Sequence, residues 1–336
     1  MNIIVDAFGG DNSPIEVIKG CAMAVSEYDV NILLVGSMKK IEKVANENSI
    51  LLYHIDICDV EDVISMDEDP AEIMKSKNNS TMAKGLKLLA QGKGDAFISA
   101  GNSGALVMGA TFIVKRIKGV KRCAFAPILP KNEGCFMLID SGANVECRPD
   151  MLNQFGIMGS IYMEKVMGIK SPRVALANIG TEEHKGGTFQ HEAYNYLKNS
   201  NINFIGNVEA RDIPDNAGDV IVTDGFTGNI ILKLYEGVAM TLMSKVKAVL
   251  TKNVKTKLAA AMILPEMKEL KEQMDYNEYG GAPIMGLSKP VFKAHGNSTA
   301  VTFKNAIRVT MEYVSKNVIN EIKEEIELIN EKKIEN

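Results

Sequence analysis

The chain has 336 residues, of which 46% are hydrophobic and 24% charged, and its formal net charge is -4 at pH 7. That length and balance describe a globular protein with a large core, organised as one big or two ordinary domains, and the slight acidic excess, with lysines dispersed except around 245 to 271, gives no electrostatic footprint for nucleic acid. A carboxylate arrives already at Asp6 and no apolar run approaches the length of a membrane span, so neither a signal peptide nor a transmembrane helix is expected and the expected compartment is the cytosol.

Along the chain a strand is expected at Ile3 to Val5, then a Gly9-Gly10-Asp11 loop, then a helix through Val17, Ile18 and Cys21 with Pro14 suited to its first turn. A second strand is expected at Ile32 to Val35. The carboxylates Glu61, Asp62, Asp67, Glu68 and Asp69 read as a solvated loop rather than a metal site. Phe97 and Ile98 lead into Gly101-Asn102-Ser103-Gly104 and a helix from Ala105, repeating the strand, small polar loop, helix pattern. Cys135 to Ile139 is a further strand. Val174 to Ala177 opens a third copy of the pattern, with a loop over 180–187 that holds Gly180, Thr181, His184 and Lys185, and a helix carrying His191, Tyr194 and Leu197. After a strand at Asn203 to Ile205 comes the fourth copy. There the β-branched run Val220 to Thr223 meets Asp224-Gly225-Phe226-Thr227-Gly228-Asn229, and apolar residues resume at Ile230, Ile231, Leu234 and Val238 with helical spacing.

Beyond this point the rhythm breaks. "SKVKAVLTKNVKTKLAAAMILPEMKELK" places Lys252, Lys255 and Lys257 ahead of an apolar run, Leu258 to Leu264, that includes Met262 and Ile263 and that Pro265 ends or kinks. A projecting helical pair over 241–275 is expected. The Glu/Lys-rich end "EIKEEIELINEKKIEN" is expected to continue a solvated helix and fray.

Alternating strands and helices imply a mostly parallel sheet covered on both faces, a three-layer α/β/α body in a single domain over 1–336. In such sheets ligands sit outside the carboxyl ends of the strands, where all four polar loops lie. Glycines let the backbone approach a ligand, and the free N–H groups of each following helix favour an anion, so phosphate is the natural guest. No G-x-x-x-x-G-K-[ST] and no G-x-G-x-x-G is present, which argues against a nucleotide P-loop and against a dinucleotide fold. "AGNSG" is not a nucleophile elbow, although Ser103, His295 and Asp224 could assemble a hydrolytic triad from distant loops. His54 and His191 read as structural; His184 and His295, flanked by glycines, stand between structural and site roles. The five cysteines are odd in number and never closer than a dozen residues, fitting neither a disulfide framework nor a zinc site.

"IIVDAFGGD", "SAGNSGAL", "IDSGANVECRPDMLNQFGIMGSIY", "NIGTEEHKGG", "GDVIVTDGFTGNIILKLYEG" and "DYNEYGGAPIMGL" followed by "VFKAHGNS" resemble, in unbroken order from Met1 to about Tyr313, the phosphate acyltransferase family of bacterial phospholipid synthesis, the PlsX type. The resemblance implies transfer of a fatty acyl group from acyl carrier protein to inorganic phosphate. The acyl phosphate would serve a membrane glycerol-3-phosphate acyltransferase. The implied fold is similar to phosphotransacetylases and isocitrate/isopropylmalate dehydrogenases, as a homodimer. Phe8, Ser103 and Ser141 depart from residues more usual in the family, and Lys75 and Lys77 stand where arginines are frequent, which removes a bidentate grip on carrier or phosphate there.

A thioester is already activated and its thiolate leaves readily, so the chemistry calls for no metal or cofactor. It needs a phosphate cradle, a donor for the oxyanion and a slot for the acyl chain. The expected catalytic residues are Lys185, as a positive charge, Asn229, as an amide donor at the mouth of its helix, and Asp224, orienting Lys185 or a backbone amide. Expected substrate contacts are Gly9, Gly10, Asp11, Asn102, Ser103, Gly180, Thr181, His184, Thr227, Gly228, His295 and Asn297. Two other classes stay open: a Ser/His/Asp thioester hydrolase and a non-catalytic scaffold that binds acyl carrier protein. The Leu258 to Leu264 run either packs against a partner subunit or touches a bilayer peripherally, with Lys252, Lys255 and Lys257 attracting anionic lipid or the acidic carrier.

Overall fold

A computed structural model of the chain describes residues 1–273 and 279–334. Residues 275–278 of the "DYNEYGG" motif, the last two positions of the expected helical pair and the final two residues of the Glu/Lys-rich end lie outside the described residues. That end is not the solvated helix expected, since Ile322 and Ile326 are fully buried in the core and only its other faces meet solvent.

The strands are β1 (Asn2–Asp6), β2 (Asn31–Gly36), β3 (Ile55–Asp59), β4 (Ala96–Ser99), β5 (Ala124–Phe125), β6 (Ile128–Pro130), β7 (Cys135–Ile139), β8 (Val174–Asn178), β9 (Phe204–Glu209), β10 (Val220–Val222), β11 (Ala282–Met285) and β12 (Val291–Lys293). The α-helices are α1 (Ile15–Glu27), α2 (Met38–Glu47), α3 (Thr81–Ala90), α4 (Ser103–Gly109), α5 (Pro149–Lys165), α6 (Thr188–Lys198), α7 (Gly225–Leu250), α8 (Val254–Met262), α9 (Leu264–Gln273), α10 (Ala300–Ser315) and α11 (Val318–Ile334). The mostly parallel, helix-covered architecture expected from the sequence is present, divided between two sheets rather than gathered in one. Among the described residues one sheet has the order β3-β2-β1-β4-β12-β11-β5 and the other β6-β7-β10-β8-β9. Each has a parallel body and an antiparallel edge: β11 runs against both β12 and β5, and β6 runs against β7.

Burial explains the strand patterns. Ile3, Ile4 and Val5 of β1 and Val220, Ile221 and Val222 of β10 are fully buried on both faces, which is why these segments read as continuous apolar runs and not as alternation. Only Ala126 and Pro127 separate β5 from β6, so the chain passes from one sheet to the other at that point. A single cluster of buried residues holds Ile3, Val5 and Ile32 of the first sheet together with Met137, Ile139, Val174 and Val220 of the second.

Beyond β10 two short helices, α8 and α9, fall within the span of the expected helical pair over 241–275, and α7 reaches into its start. Helix α7 runs unbroken to Leu250, Asn253 caps α8 by accepting from Thr256 N, and the break to α9 falls at Ile263, with Pro265 tolerated in the first turn of α9 where its missing N–H costs nothing. Helix α8 buries no residue, and in α7 only Gly225 and Gly228 are buried.

Candidate active site

Three loops are stitched together at the carboxyl edge of the seven-stranded sheet. Gly10 has φ +93°, and a Cβ there would crowd the Gly296 carbonyl and Ala100, so glycine is required by both conformation and space. Asp11 N donates to Gly296 O at 2.7 Å and Asn12 Nδ2 to Asn297 O at 3.1 Å. Beneath them, Ser99 Oγ donates to Asp6 Oδ2 at 2.8 Å and accepts from Gly101 N at 3.0 Å. Burial pushes the Asp6 carboxyl above its ordinary value while the Ser99 bond pulls it down. Strand β12 lies parallel beside β4 with Lys293 opposite Ser99, which carries the Lys293 side chain to this junction. Lys293 Nζ donates to Ala100 O at 3.0 Å and to Ala294 O at 2.5 Å.

The other two polar loops belong to the five-stranded sheet, after the neighbouring strands β8 and β10. Asp224 caps α7, its carboxylate accepting from Thr227 N at 2.9 Å and Thr227 Oγ1 at 2.8 Å, a backbone-orienting role that leaves the helix mouth open at Asn229. The loop 180–187 is pinned from below. Asn178 Nδ2 donates to Lys185 O at 3.0 Å, Asn207 Nδ2 to Glu182 O at 2.8 Å and His191 Nε2 to His184 O at 2.8 Å. The Lys185 ammonium is partly exposed, 3.9 Å from Glu182.

Between the sheets lies a cleft of about 520 Å³. Asp11, Ser103, Lys293, His295 and Gly296 line it from the seven-stranded side, and Ser141, Gly142, Asn229, Lys233 and Glu236 from the other. Phe125, Pro127, Ile128 and Leu129, where the chain crosses between sheets, form an apolar wall together with Leu232 of α7. The cleft therefore has one polar end and one apolar side, as a site for a small anion and a hydrophobic chain requires. Burial lowers the Lys293 ammonium to about 8, opposed by Asp11 and Asp6. Burial also pushes the Glu236 carboxyl up, with His295 and Lys233 drawing it back.

Of the expected site residues, the cleft gathers Asp11, Ser103, His295 and Asn229, contributed by loops of both sheets. Gly9, Gly10 and Asn297 shape the loops behind it, and Gly228 brings α7 against the end of β7. Asn102 is used internally. Its Oδ1 caps α4 through Ala105 N, and its Nδ2 donates to Met66 O and Glu68 O at 3.0 Å each. Lys185, Gly180, Thr181 and His184 sit in the loop after β8 and do not line the cleft, and neither does Asp224, which keeps its carboxylate on Thr227 while Ser103 and His295 face the cavity. Lys77 is held by Asp62 at 2.7 Å and Glu68 at 3.6 Å, which makes the acidic loop an ion-paired anchor. Among the described residues no group of three or more His, Cys, Asp or Glu is placed to hold a metal ion. All five cysteines are free.

Sequence reasoning overlooked Lys293, Lys233 and Glu236. Lys293 lies in the segment "VFKAHGNS", but the strand pairing that buries it leaves no mark in the sequence.

The surface beyond the cleft is unusually apolar. Ile230, Leu234, Val238, Met240 and Leu242 of α7 are exposed, as are Leu258 (64%), Met262 (82%), Ile263 (42%) and Leu264 (64%) farther on. Among the described residues no helix is long and apolar enough to cross a membrane.

The family described as "Fatty acid synthesis protein" matches residues 1–321. A phosphate acyltransferase of Acetivibrio thermocellus is 47% identical over 326 residues, 97% of this chain and 96% of its own. One from Caldanaerobacter subterraneus subsp. tengcongensis is 45% identical over 329 residues, 98% of each chain. Among solved structures, a phosphotransacetylase from Streptococcus pyogenes superposes with a TM-score of 0.66 at 17% identity, covering 94% of both chains. A 4-hydroxythreonine-4-phosphate dehydrogenase from Klebsiella pneumoniae gives 0.54 at 13% identity, covering 94% of this chain and 99% of its own. The structural likenesses establish the fold, which is that of phosphotransacetylases and of dehydrogenases of this type.

Proposed function

The chain belongs to the phosphate acyltransferase family, and from that premise we propose that it transfers a fatty acyl group from acyl carrier protein to inorganic phosphate, supplying acyl phosphate for phosphatidic acid synthesis. The observation that carries this reading is the two-sided cleft, polar at the loops around Lys293 and apolar along Phe125, Ile128, Leu129 and Leu232. A phosphate oxygen attacks the thioester carbon, a C–O bond forms, and the C–S bond breaks with the electron pair leaving on the carrier thiolate, which takes a proton to become the free thiol. Because the thioester is activated already, the protein's task is to position the reactants and to stabilise the oxyanion. Asn229, on the cleft at the N-terminus of α7, donates its amide toward that charge, aided by the positive end of the helix. Lys185, in the loop after the neighbouring strand β8, adds positive charge at the same sheet edge, and Asp224 keeps the first turn of α7 in place. Thr227 and Gly228 belong to that turn, and Gly180, Thr181 and His184 shape the loop that presents Lys185.

The exposed apolar face of α7 supports a homodimer, since so large a patch on a lone chain marks an interface. The tip around Leu258, Met262, Ile263 and Leu264, with Lys252, Lys255 and Lys257 nearby, supports peripheral contact with the bilayer, where a glycerol-3-phosphate acyltransferase would receive the product.

Incubation of the pure protein with acyl carrier protein thioester and phosphate is expected to form a hydroxylamine-reactive acyl group only when both are present. Release of free fatty acid would mean a hydrolase using Ser103 and His295. Carrier binding without phosphate-dependent turnover would mean a scaffold.

A further inference from the structure

Lys293 is only 9% exposed, and a buried charge ordinarily needs a partner, because burial strips hydration that apolar surroundings do not return. Among the described residues it forms no ion pair. Its hydrogen bonds go to two main-chain carbonyls, Ala100 O and Ala294 O. Ala100 precedes the Gly101-Asn102 loop and Ala294 precedes His295, so the ammonium ties together two of the loops that meet at the polar end of the cleft. Carbonyls orient a cation without neutralising it. An ammonium carries three hydrogens, and with two of them so directed the third is left for whatever occupies the cavity that Lys293 lines. The neighbouring carboxylates are committed or set apart: Asp6 accepts from Ser99 and from Phe8 N, and Asp11 lines the cleft without an ion pair to Lys293.

We propose that Lys293 is the phosphate-binding cation of the cleft, its ammonium supplying the charge that holds inorganic phosphate where the loops after β1, β4 and β12 converge. This assignment rests on the acyl-transfer reading and adds to it the end of the cleft at which the nucleophile sits: phosphate against Lys293, the acyl chain along the apolar wall. The titratable groups facing this end are Asp6 behind it, Asp11 and His295 beside it, and Lys233 and Glu236 across the cleft on α7. Asp11 opposes an anion, and the ammonium of Lys293 offsets that repulsion. With the ammonium lowered by burial to about 8, the charge is present at neutral pH and is lost just above it.

The test is phosphate saturation of the acyl phosphate assay from about pH 7 to about pH 9.5. The KM for phosphate is expected to climb above about pH 8, approaching tenfold per pH unit, while kcat changes less. Lys293→Met is expected to raise that KM about tenfold or more and to flatten its pH dependence. A second measurement uses the unaltered protein alone, so a folding defect in the variant does not matter. Calorimetric titration with inorganic phosphate near pH 8, in buffers of different ionisation enthalpy, is expected to show uptake of about half a proton as the bound anion restores the ammonium. If the unaltered protein forms no acyl phosphate, the functional reading fails, and the calorimetric result still decides the role of Lys293. An active protein with a KM flat across the range and no proton uptake would overturn the role of Lys293 alone.

Discussion

Gly228, in the first turn of α7, lies so close to the main-chain carbonyl of Asp140 at the end of β7 that a side chain there would overlap the carbonyl oxygen. The contact sits on a braced turn. The Asp140 carboxylate accepts from Phe125 N at 2.9 Å, Ala143 N at 3.0 Å and Asn144 N at 2.7 Å, and Gly225 N donates to Asn144 O at 2.8 Å. Because the α7 N-terminus carries Asn229 to the cleft, Gly228→Ala must push the helix off this turn. It is expected to lower stability by about 2 kcal/mol, the usual cost of overpacking, and turnover by about a hundredfold, as a displacement near 1 Å does. Gly237→Ala, where an added Cβ would meet nothing within 4 Å, is the control: equal denaturation midpoints for the two variants would show that the Asp140 contact is not a constraint.

Asn229→Ala and Lys185→Ala are each expected to lower kcat by roughly a hundred- to a thousandfold, the range for loss of an oxyanion-type donor, with circular dichroism and melting unchanged. Their placement separates them. Asn229 lines the cleft, whereas Lys185 is partly exposed beside Glu182, so a Lys185 defect that shrinks with added salt while the Asn229 defect does not would match a screened charge against a directional donor. Near-native kcat in either variant would remove its proposed role.

Asp219 gives a pH-dependent prediction away from the cleft. Its carboxylate accepts from Lys131 Nζ at 2.8 Å and from Arg173 N and Nε at 2.9 and 3.1 Å. Burial alone would raise the carboxyl, but the Arg173 and Lys131 bonds outweigh it and hold it at about 2, against 3.8 ordinarily. A carboxyl depressed by folding stabilises the native state above its unfolded value and loses that contribution as pH falls through the folded one, so the loss spans about pH 4 to about pH 2 and amounts to about 2 kcal/mol. Asp219→Asn is expected to lower stability at pH 7 and to shallow the decline in this acid window. An unchanged acid limb in urea unfolding would refute the assignment.

The four strand-to-helix loops were legible because each follows a continuous β-branched or apolar run and opens an amphipathic or capped helix, as at Val220 to Asn229. The division into two sheets was not, because strand adjacency is set by distant crossings. Strand β12, only Val291 to Lys293, has no readable period, yet it inserts beside β4 from far downstream and so buries Lys293, which no spacing in the sequence marks out. The two-residue β5 and three-residue β6 are equally silent in sequence, although the Phe125 to Leu129 crossing builds the apolar wall of the cleft. Side chains such as Asn102 and Lys77 were recognised as polar and loop-borne, but their bonds to Met66 O and Glu68 O and to Asp62 are matters of packing that spacing does not encode.

The segment after α7 yields a prediction that separates two proposed roles. Ile263 and Leu264 lie at the break between α8 and α9 and are exposed, as are Leu258 and Met262 just before them, and α8 buries nothing. The exposed apolar positions of α7, from Ile230 to Leu242, share that helix with Leu232, Lys233 and Glu236 of the cleft. If α7 carries the subunit interface and the α8–α9 break carries the membrane contact, the two functions are separable by position. Replacing Ile263 and Leu264 together with Asp is then expected to abolish co-sedimentation with anionic vesicles, because two charges at the insertion depth oppose burial of so short an apolar run. The mass in solution and the turnover with soluble acyl carrier protein thioester should stay as they were. Leu234→Asp with Val238→Asp should do the reverse, dissociating the dimer. Vesicle binding of the unaltered protein should also weaken as salt is raised, since Lys252, Lys255 and Lys257 attract anionic lipid through solvent. A dimer that falls apart on the Ile263 and Leu264 substitutions would instead make that run an interface, and the membrane role would have to be abandoned.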